Sequence, residues 1–222
     1  KMPQQINRKI LFYLFLFTIL GTLNNKDLKE FDLPKINLIK VNGLEFNHEF
    51  ETKLEFLKLN NIFLLNKIKI EELFDNNNLI EEYKIFKKYP SSLEVEIIKT
   101  RFLALTNING NNFFVGSNGK LIKSENSIRE LPFIFGDFEI DNFLYLKKII
   151  DESDLDFKEI KNLYSFPTGR WDIETSSEIL IKLPFDRLKE SLELSLELLK
   201  NEKFTKVKLI DVRQKSQVVI ND

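Results

Sequence analysis

Tyr89-Pro-Ser-Ser-Leu-Glu-Val-Glu-Ile97 (YPSSLEVEI, residues 89–97) decides the fold, because it joins a turn to a strand whose two faces can be told apart. Proline has no N–H to give a ladder, so Tyr89–Ser92 reads as a turn. Leu93, Val95 and Ile97 then alternate with Glu94 and Glu96, the period of a strand with one buried face. Upstream of the turn, Ile80–Phe86 predicts a strand. Two helices precede it. Asn47 suits an N-cap for one running to about Asn60, with Phe50, Leu54 and Leu57 on one face, and Lys69–Phe74 is the second. Before them, Ile36–Leu44 reads as a strand closed by Asn42-Gly43, a turn signal. The order β-α-α-β-β describes a two-layer unit, two helices covering one face of a three-stranded sheet.

Downstream the chain is mostly strands. Asn111–Val115 and Lys120–Lys123 flank Gly116-Ser-Asn-Gly119, a hairpin turn by composition. Those glycines open no helix and no Gly-Lys-Ser/Thr follows, so a phosphate loop is excluded. Leu131-Pro-Phe-Ile-Phe-Gly136 reads as a compact apolar turn. Asn142–Ile150 and Asp186–Lys200 predict helices, the second with Leu188, Leu192, Leu196 and Leu199 on a core-facing stripe. Arg170–Ile173 and Glu178–Leu183 form an expected hairpin, and Lys206–Arg213 and Gln217–Ile220 are the last expected strands. The fold class is therefore α+β, with a mostly antiparallel sheet in the second half.

The N-terminus sets the compartment. Ile10, Leu11, Phe12, Tyr13, Leu14, Phe15, Leu16, Phe17, Ile19 and Leu20 lie in a charge-free run from Ile10 to Leu23, preceded by Arg8 and Lys9. Upstream positive charge holds that end in the cytoplasm and sends the rest across the membrane. Three readings stand: a single membrane anchor, a cleaved signal peptide, and a buried core helix. The run is shorter than the ~20 residues that span ~30 Å of hydrocarbon, so an anchor needs Arg8 and Lys9 to snorkel. The peptide reading lacks small residues near a cleavage position, and the core reading conflicts with a run apolar on every face. The anchor is preferred.

Composition narrows the chemistry. The 222 residues carry 33 Lys+Arg against 34 Asp+Glu, a net charge of −1 that gives no electrostatic footprint for nucleic acid. With no cysteine and one histidine, thiol nucleophiles, Cys-based zinc sites and most imidazole catalysis lack their residues. His48 has no second His or Cys to share a metal and reads as a surface or capping residue. The pairs Glu94/Glu96 and Glu71/Glu72 read as solvated faces, because nothing in their spacing raises a carboxyl pKa. The expectation is a protein that is not an enzyme and takes no cofactor.

An ordered set of short signals resembles one family, FtsQ/DivIB, bitopic cell-division proteins with a POTRA domain and a following β domain. The signals are the N-terminal anchor, Val41-Asn-Gly-Leu44, Tyr89–Ile97, Ala104, Phe114-Val-Gly-Ser-Asn-Gly-Lys-Leu-Ile122, Leu131–Gly136, Arg170-Trp171, Ile181-Lys-Leu-Pro184 and Ile210-Asp-Val-Arg213. Phe102, Thr106 and Gly116 depart from the pattern, standing where a proline, an aromatic and an aspartate are usual. The resemblance implies a cytoplasmic tail over 1–9, an anchor over 10–23, a linker over 24–35, a POTRA domain over 36–102 and a β domain over 103–220. It also implies a non-enzymatic scaffold of the division septum in the inner membrane, its C-terminal domains periplasmic. The implied partners are the periplasmic segments of FtsB and FtsL, with FtsK upstream.

A final strand with an unpaired backbone edge can accept an extended partner segment as an added strand. The expected edge is Asp211–Val219, and the resemblance, mapped by position after Ile210–Arg213, implies that Gln214 and Ser216 face the partner. The residues assigned to it are Arg170, Val212, Arg213, Gln214, Lys215, Ser216, Gln217 and Val218. Arg213 is the expected ion-pair donor to a partner carboxylate. Two bland readings stand beside these. Gln214-Lys-Ser-Gln217 can be a polar blunting of an exposed edge, and Arg170 can serve a salt bridge within its own domain. Trp171 reads as core packing. The alternative function is a periplasmic or outer-membrane-associated POTRA adaptor with a cleaved N-terminus.

Overall fold

The structure, a computed structural model, describes residues 8–23, 34–44, 48–63, 65–124, 130–201 and 206–221. The expected tail 1–9 and linker 24–35 lie largely outside these, as do the Asn47 cap and the side chain of His48. The protein is α+β. Its described residues divide into two compact units, one drawn from Lys1–Lys40, Phe46–Asn66 and Phe86–Glu94, the other from Val41–Glu45, Lys67–Ile85 and Val95–Asp222.

The first described element is helix α1 (Arg8–Leu23), whose ten residues assigned to the anchor are 40–77% exposed. Among the described residues no helix is long and apolar enough to cross a membrane. The 16 residues of α1 rise about 24 Å at ~1.5 Å per residue.

Strand β1 (Leu38–Asn42), helices α2 (His48–Lys58) and α3 (Lys67–Asp75), and strands β2 (Ile80–Lys88) and β3 (Ser92–Lys99) follow in the expected order. The three strands form a sheet in the order β1-β3-β2. Alternation along β3 buries Leu93, Val95 and Ile97, as the opening stretch predicts. Phe50, Leu54 and Leu57 are the buried stripe of α2. The turn after β1 needs glycine on two counts. Gly43 has φ +105°, and a Cβ there would stand 2.0 Å from the Ile97 carbonyl oxygen.

The rest of the second unit is built on a nine-stranded sheet. Its strands are β4 (Phe102–Ile108), β5 (Asn111–Gly116), β6 (Leu121–Lys123), β7 (Phe133–Phe135), β8 (Ile160–Ser165), β9 (Trp171–Thr175), β10 (Leu180–Lys182), β11 (Leu209–Asp211) and β12 (Val219–Asn221). They lie in the order β12-β11-β10-β9-β8-β7-β4-β5-β6. Helices α4 (Ile140–Asp151) and α5 (Leu188–Lys200) supply Phe143, Leu146, Ile149, Ile150, Leu188 and Leu192 to one buried cluster. The cross-strand row Ile173–Ile181–Ile210 belongs to the same cluster.

One expectation is corrected here. Leu131–Gly136 is more than a turn: β7 sits mid-sheet, parallel to both β4 and β8. Strand β8 itself carried no sequence expectation. Five of the eight pairings are antiparallel and three are parallel, so the sheet is mixed with an antiparallel majority. Gly136 ends β7 at φ +86°, and a Cβ there would lie 2.3 Å from the Ser165 carbonyl oxygen.

The three departures from the family pattern each have a packing reason. Phe102 stacks on Phe114, with centroids 4.5 Å apart. Buried Thr106 donates its hydroxyl to the Ile134 carbonyl across 3.2 Å. At Gly116 a Cβ would stand 2.5 Å from Asn118 Oδ1 and 2.9 Å from Thr100 Oγ1. The turn that follows is held within the second unit. Asn118 Nδ2 donates to the carbonyls of Asn78 and Ile80 (both 2.9 Å), Asn78 Nδ2 donates to that of Leu121 (2.8 Å), and the Ser117 hydroxyl donates to Glu81 (2.6 Å).

Candidate partner-binding edge

The end of the chain supplies the sheet edge, but not with the residues expected. Strand β11 ends at Asp211 and β12 starts at Val219, so Val212–Val218 is a loop between two antiparallel strands. The expected continuous edge Asp211–Val219 is therefore corrected. The outer edge of β11 is covered by β12, and β12 is terminal in the sheet among the described residues. Gln214, Lys215, Ser216 and Gln217 are exposed in the loop, where they form no ladder for a partner strand to extend. The reason is local: four polar residues in succession offer no alternating apolar face to hold a strand on the core.

Val212 is turned inward. It is 2% exposed, belongs to the main buried cluster and donates its N–H to the Lys182 carbonyl at 3.1 Å. Arg213 is already paired within the chain. Its Nε donates to Asp211 Oδ1 at 2.7 Å, its Nη2 to Oδ2, and its own amide to Oδ1 at 3.1 Å. These bonds hold the Asp211 carboxyl below its ordinary pKa and raise that of Arg213.

Arg170 lies against two groups of its own chain. Its guanidinium sits 3.8 Å from the centre of the Phe166 ring, and its Nε is 3.5 Å from Asp172 Oδ1. Neither Nε nor Oδ1 has a hydrogen-bond partner, although both atoms are enclosed. The pair is thus a Coulombic contact without an aligned bond. Burial pushes the Asp172 carboxyl up in pKa, while Arg170, Lys182 and Arg213 pull it down. Asp172 faces Lys182 on β10, and Lys182 faces Asp211 on β11. One row therefore reads −, +, − across three strands, with Arg170 and Arg213 at its ends. Trp171 is 1% exposed and packs edge-on to Phe138 at 6.2 Å, a core residue as expected.

Beside the loop a groove of about 370 Å³ is lined by Val212, Gln214, Lys215, Ser216, Gln217 and Val218 on one side. On the other side stand Arg187, Glu190, Ser191 and Leu194 of α5 and its start. Six of the eight assigned residues are thus brought together, while Arg170 and Arg213 stand apart from the groove. The α5 wall was missed, although a signal existed. Positions 187, 190/191 and 194 repeat at helical spacing beside the leucine stripe, and Leu194 is 41% exposed. Among the described residues no cluster of three acidic or histidine side chains converges to hold a metal.

The arrangement is that of an α+β protein with β12 terminal in its larger sheet among the described residues and a groove between the preceding loop and α5. Residues 104–213 match the family described as cell division protein FtsQ/DivIB, C-terminal. The chain is 27% identical over 141 residues to "Cell division protein DivIB" of Clostridium botulinum (strain Loch Maree / Type A3), covering 60% of this chain and 52% of the relative. It is 25% identical over 169 residues to "Cell division protein FtsQ" of Rickettsia bellii (strain RML369-C), covering 73% of this chain and 62% of the relative. These likenesses support an FtsQ/DivIB family protein. The chain spans about half the length of the DivIB relative and under two thirds of the FtsQ relative. Among solved structures, the major extracytoplasmic domain of DivIB from Geobacillus stearothermophilus (trans isomer) is similar at 13% identity and a TM-score of 0.34. That match covers 45% of this chain and 91% of the other, a likeness too weak to bear on the fold.

Proposed function

We propose that the chain is a cell division protein, a non-enzymatic scaffold of the bacterial septum that binds an extended partner segment along β12. The partner is the periplasmic part of an FtsB–FtsL complex, with FtsK a further partner upstream. In this reading residues 36–102 are the POTRA domain and 103–220 the β domain. Residues 10–23 are a single inner-membrane anchor, with the N-terminus cytoplasmic and the remainder periplasmic. The observation that supports it is the position of β12 at the end of the sheet among the described residues, after a loop that lines a groove with α5. Main-chain bonds to β12 supply affinity, and the groove supplies selectivity.

The test is calorimetric titration of the chain with the periplasmic FtsB–FtsL segment, followed by proline substitution. Backbone N–H groups alternate in direction along a strand, so of Val219 and Ile220 one points away from β11. Val219→Pro or Ile220→Pro, whichever removes the outward donor, abolishes binding with the fold retained. Ser216→Pro, in the loop, leaves strand addition in place. No binding by the folded parent chain would overturn the reading, and so would binding that survives both strand prolines.

A further inference from the structure

Among the described residues strand β2 is an edge of the three-stranded sheet, and it runs for nine residues, Ile80-Glu-Glu-Tyr-Lys-Ile-Phe-Lys-Lys88. Its charges are segregated. Glu81 and Glu82 stand at the N-terminal end, Lys87 and Lys88 at the C-terminal end, and most of the strand is exposed. Lysines scattered on an edge discourage pairing, but that role does not require opposite charges sorted to opposite ends. We infer that β2 is a self-pairing edge, at which a second copy of this chain adds its own β2 antiparallel about a two-fold axis.

Symmetry and charge select the register. A two-fold axis that relates adjacent antiparallel strands stands perpendicular to the sheet, so facing residues share a face and their numbers sum to an even value. With Ile85 on the axis the sum is 170, and Glu82 faces Lys88 of the second copy on both sides of the axis. Tyr83 then faces Lys87, Lys84 faces the Phe86 ring, and Ile85 faces its own counterpart. Opposite charges and apolar or cation–ring pairs are the favourable cross-strand combinations. Moving the axis to Lys84 sets two lysines face to face, and moving it to Phe86 sets Lys84 against Lys88. Existing bonds are compatible with the register. Tyr83 donates to Asp75 at 3.0 Å, the Lys87 amine reaches the Leu65 carbonyl at 3.2 Å, and Lys88 lies 3.6 Å from Glu94, an exposed contact that a second carboxylate can share.

The sequence has no cysteine, so single cysteines on the full chain in detergent micelles report the contact directly. Cα atoms of facing residues lie about 4.5–5.5 Å apart, within disulfide range. Under mild oxidation Ile85→Cys gives a covalent dimer of twice 26.3 kDa. Lys84→Cys and Phe86→Cys give severalfold less. The double variant Glu82→Cys/Lys88→Cys, both exposed positions, cross-links as well and carries the test where Ile85→Cys perturbs the fold. Glu82→Lys weakens dimerisation about tenfold, and adding Lys88→Glu restores it. Equal yields at 84, 85 and 86 would overturn the proposal. So would preferential cross-linking through Val219→Cys on β12 or Leu121→Cys on β6, or a charge swap that fails to restore.

Discussion

Arg213 grips Asp211, two residues back in its own chain, through both the Nε/Nη2 edge of its guanidinium and its backbone amide. The grip fixes the point where β11 stops and the loop to β12 begins. A partner carboxylate that recruits Arg213 must therefore compete with an intrachain pair.

That pair makes a pH-dependent contribution. Asp211 has a depressed pKa in the folded chain, so its stabilisation is present above the unfolded carboxylate value and is lost as pH falls through the folded one. Because Arg213 is exposed, Arg213→Ala is expected to destabilise by only about 0.5–1 kcal/mol at pH 7. Urea unfolding checks this, and the difference from the parent should vanish once pH drops below the folded pKa of Asp211.

Arg170 and Asp172 behave in the opposite sense. Burial raises the Asp172 pKa, so the carboxylate is destabilising near neutrality and the folded state gains as pH falls through its raised value. Arg170→Ala removes the nearest compensating cation and should destabilise by roughly 3 kcal/mol, the scale for stranding one member of an enclosed pair. Asp172→Asn added to Arg170→Ala should recover most of that loss. Thermal unfolding of both single variants and the double variant decides it, and additive effects would mean the two residues do not act as a pair.

Asn118 is placed to hold the turn that follows β5. Its Nδ2 serves two carbonyls and its Oδ1 accepts the Lys120 amide at 3.0 Å. Asn118→Ala should destabilise by about 2 kcal/mol and expose the Lys120 amide to exchange. Asn118→Asp keeps the acceptor and loses the donors. It should retain Lys120 protection while losing stability, a separation that amide exchange by NMR can resolve.

The anchor reading is tested on α1. Leu14, near the middle of the helix and 63% exposed, would meet lipid. Leu14→Arg places a charge at roughly 2.5–3.5 kcal/mol of insertion cost at a helix centre. Membrane flotation of the expressed chain should shift from the membrane fraction to the soluble fraction. An unchanged distribution would remove α1 as the attachment.

Much of the fold was legible where neighbours in sequence carry the signal. Leu93, Val95 and Ile97 declare a strand through period-two alternation, and Gly43 and Gly136 mark turns where a Cβ would meet backbone. The same logic failed for Phe133–Phe135. Three apolar residues between Pro132 and Gly136 look like a turn until β4 and β8 supply hydrogen bonds on both sides. At the C-terminus, the expected edge ran through Gln214–Gln217, where no apolar face exists to hold a strand.

By itself the sequence determined the α+β class, the β-α-α-β-β order, the leucine stripe of α5 and the resemblance to one family, because each rests on spacing within one segment or on the order of segments. Tertiary structure alone decided that β12 rather than residues 211–219 is the edge. It also decided that Arg213 is already paired, that Asp172 is buried, and that α5 walls the groove beside the loop. Those outcomes depend on which distant segments become neighbours. Hydrogen-bond partners, burial and the electrostatic cost of a buried charge are set by that neighbourhood and not by adjacent residues.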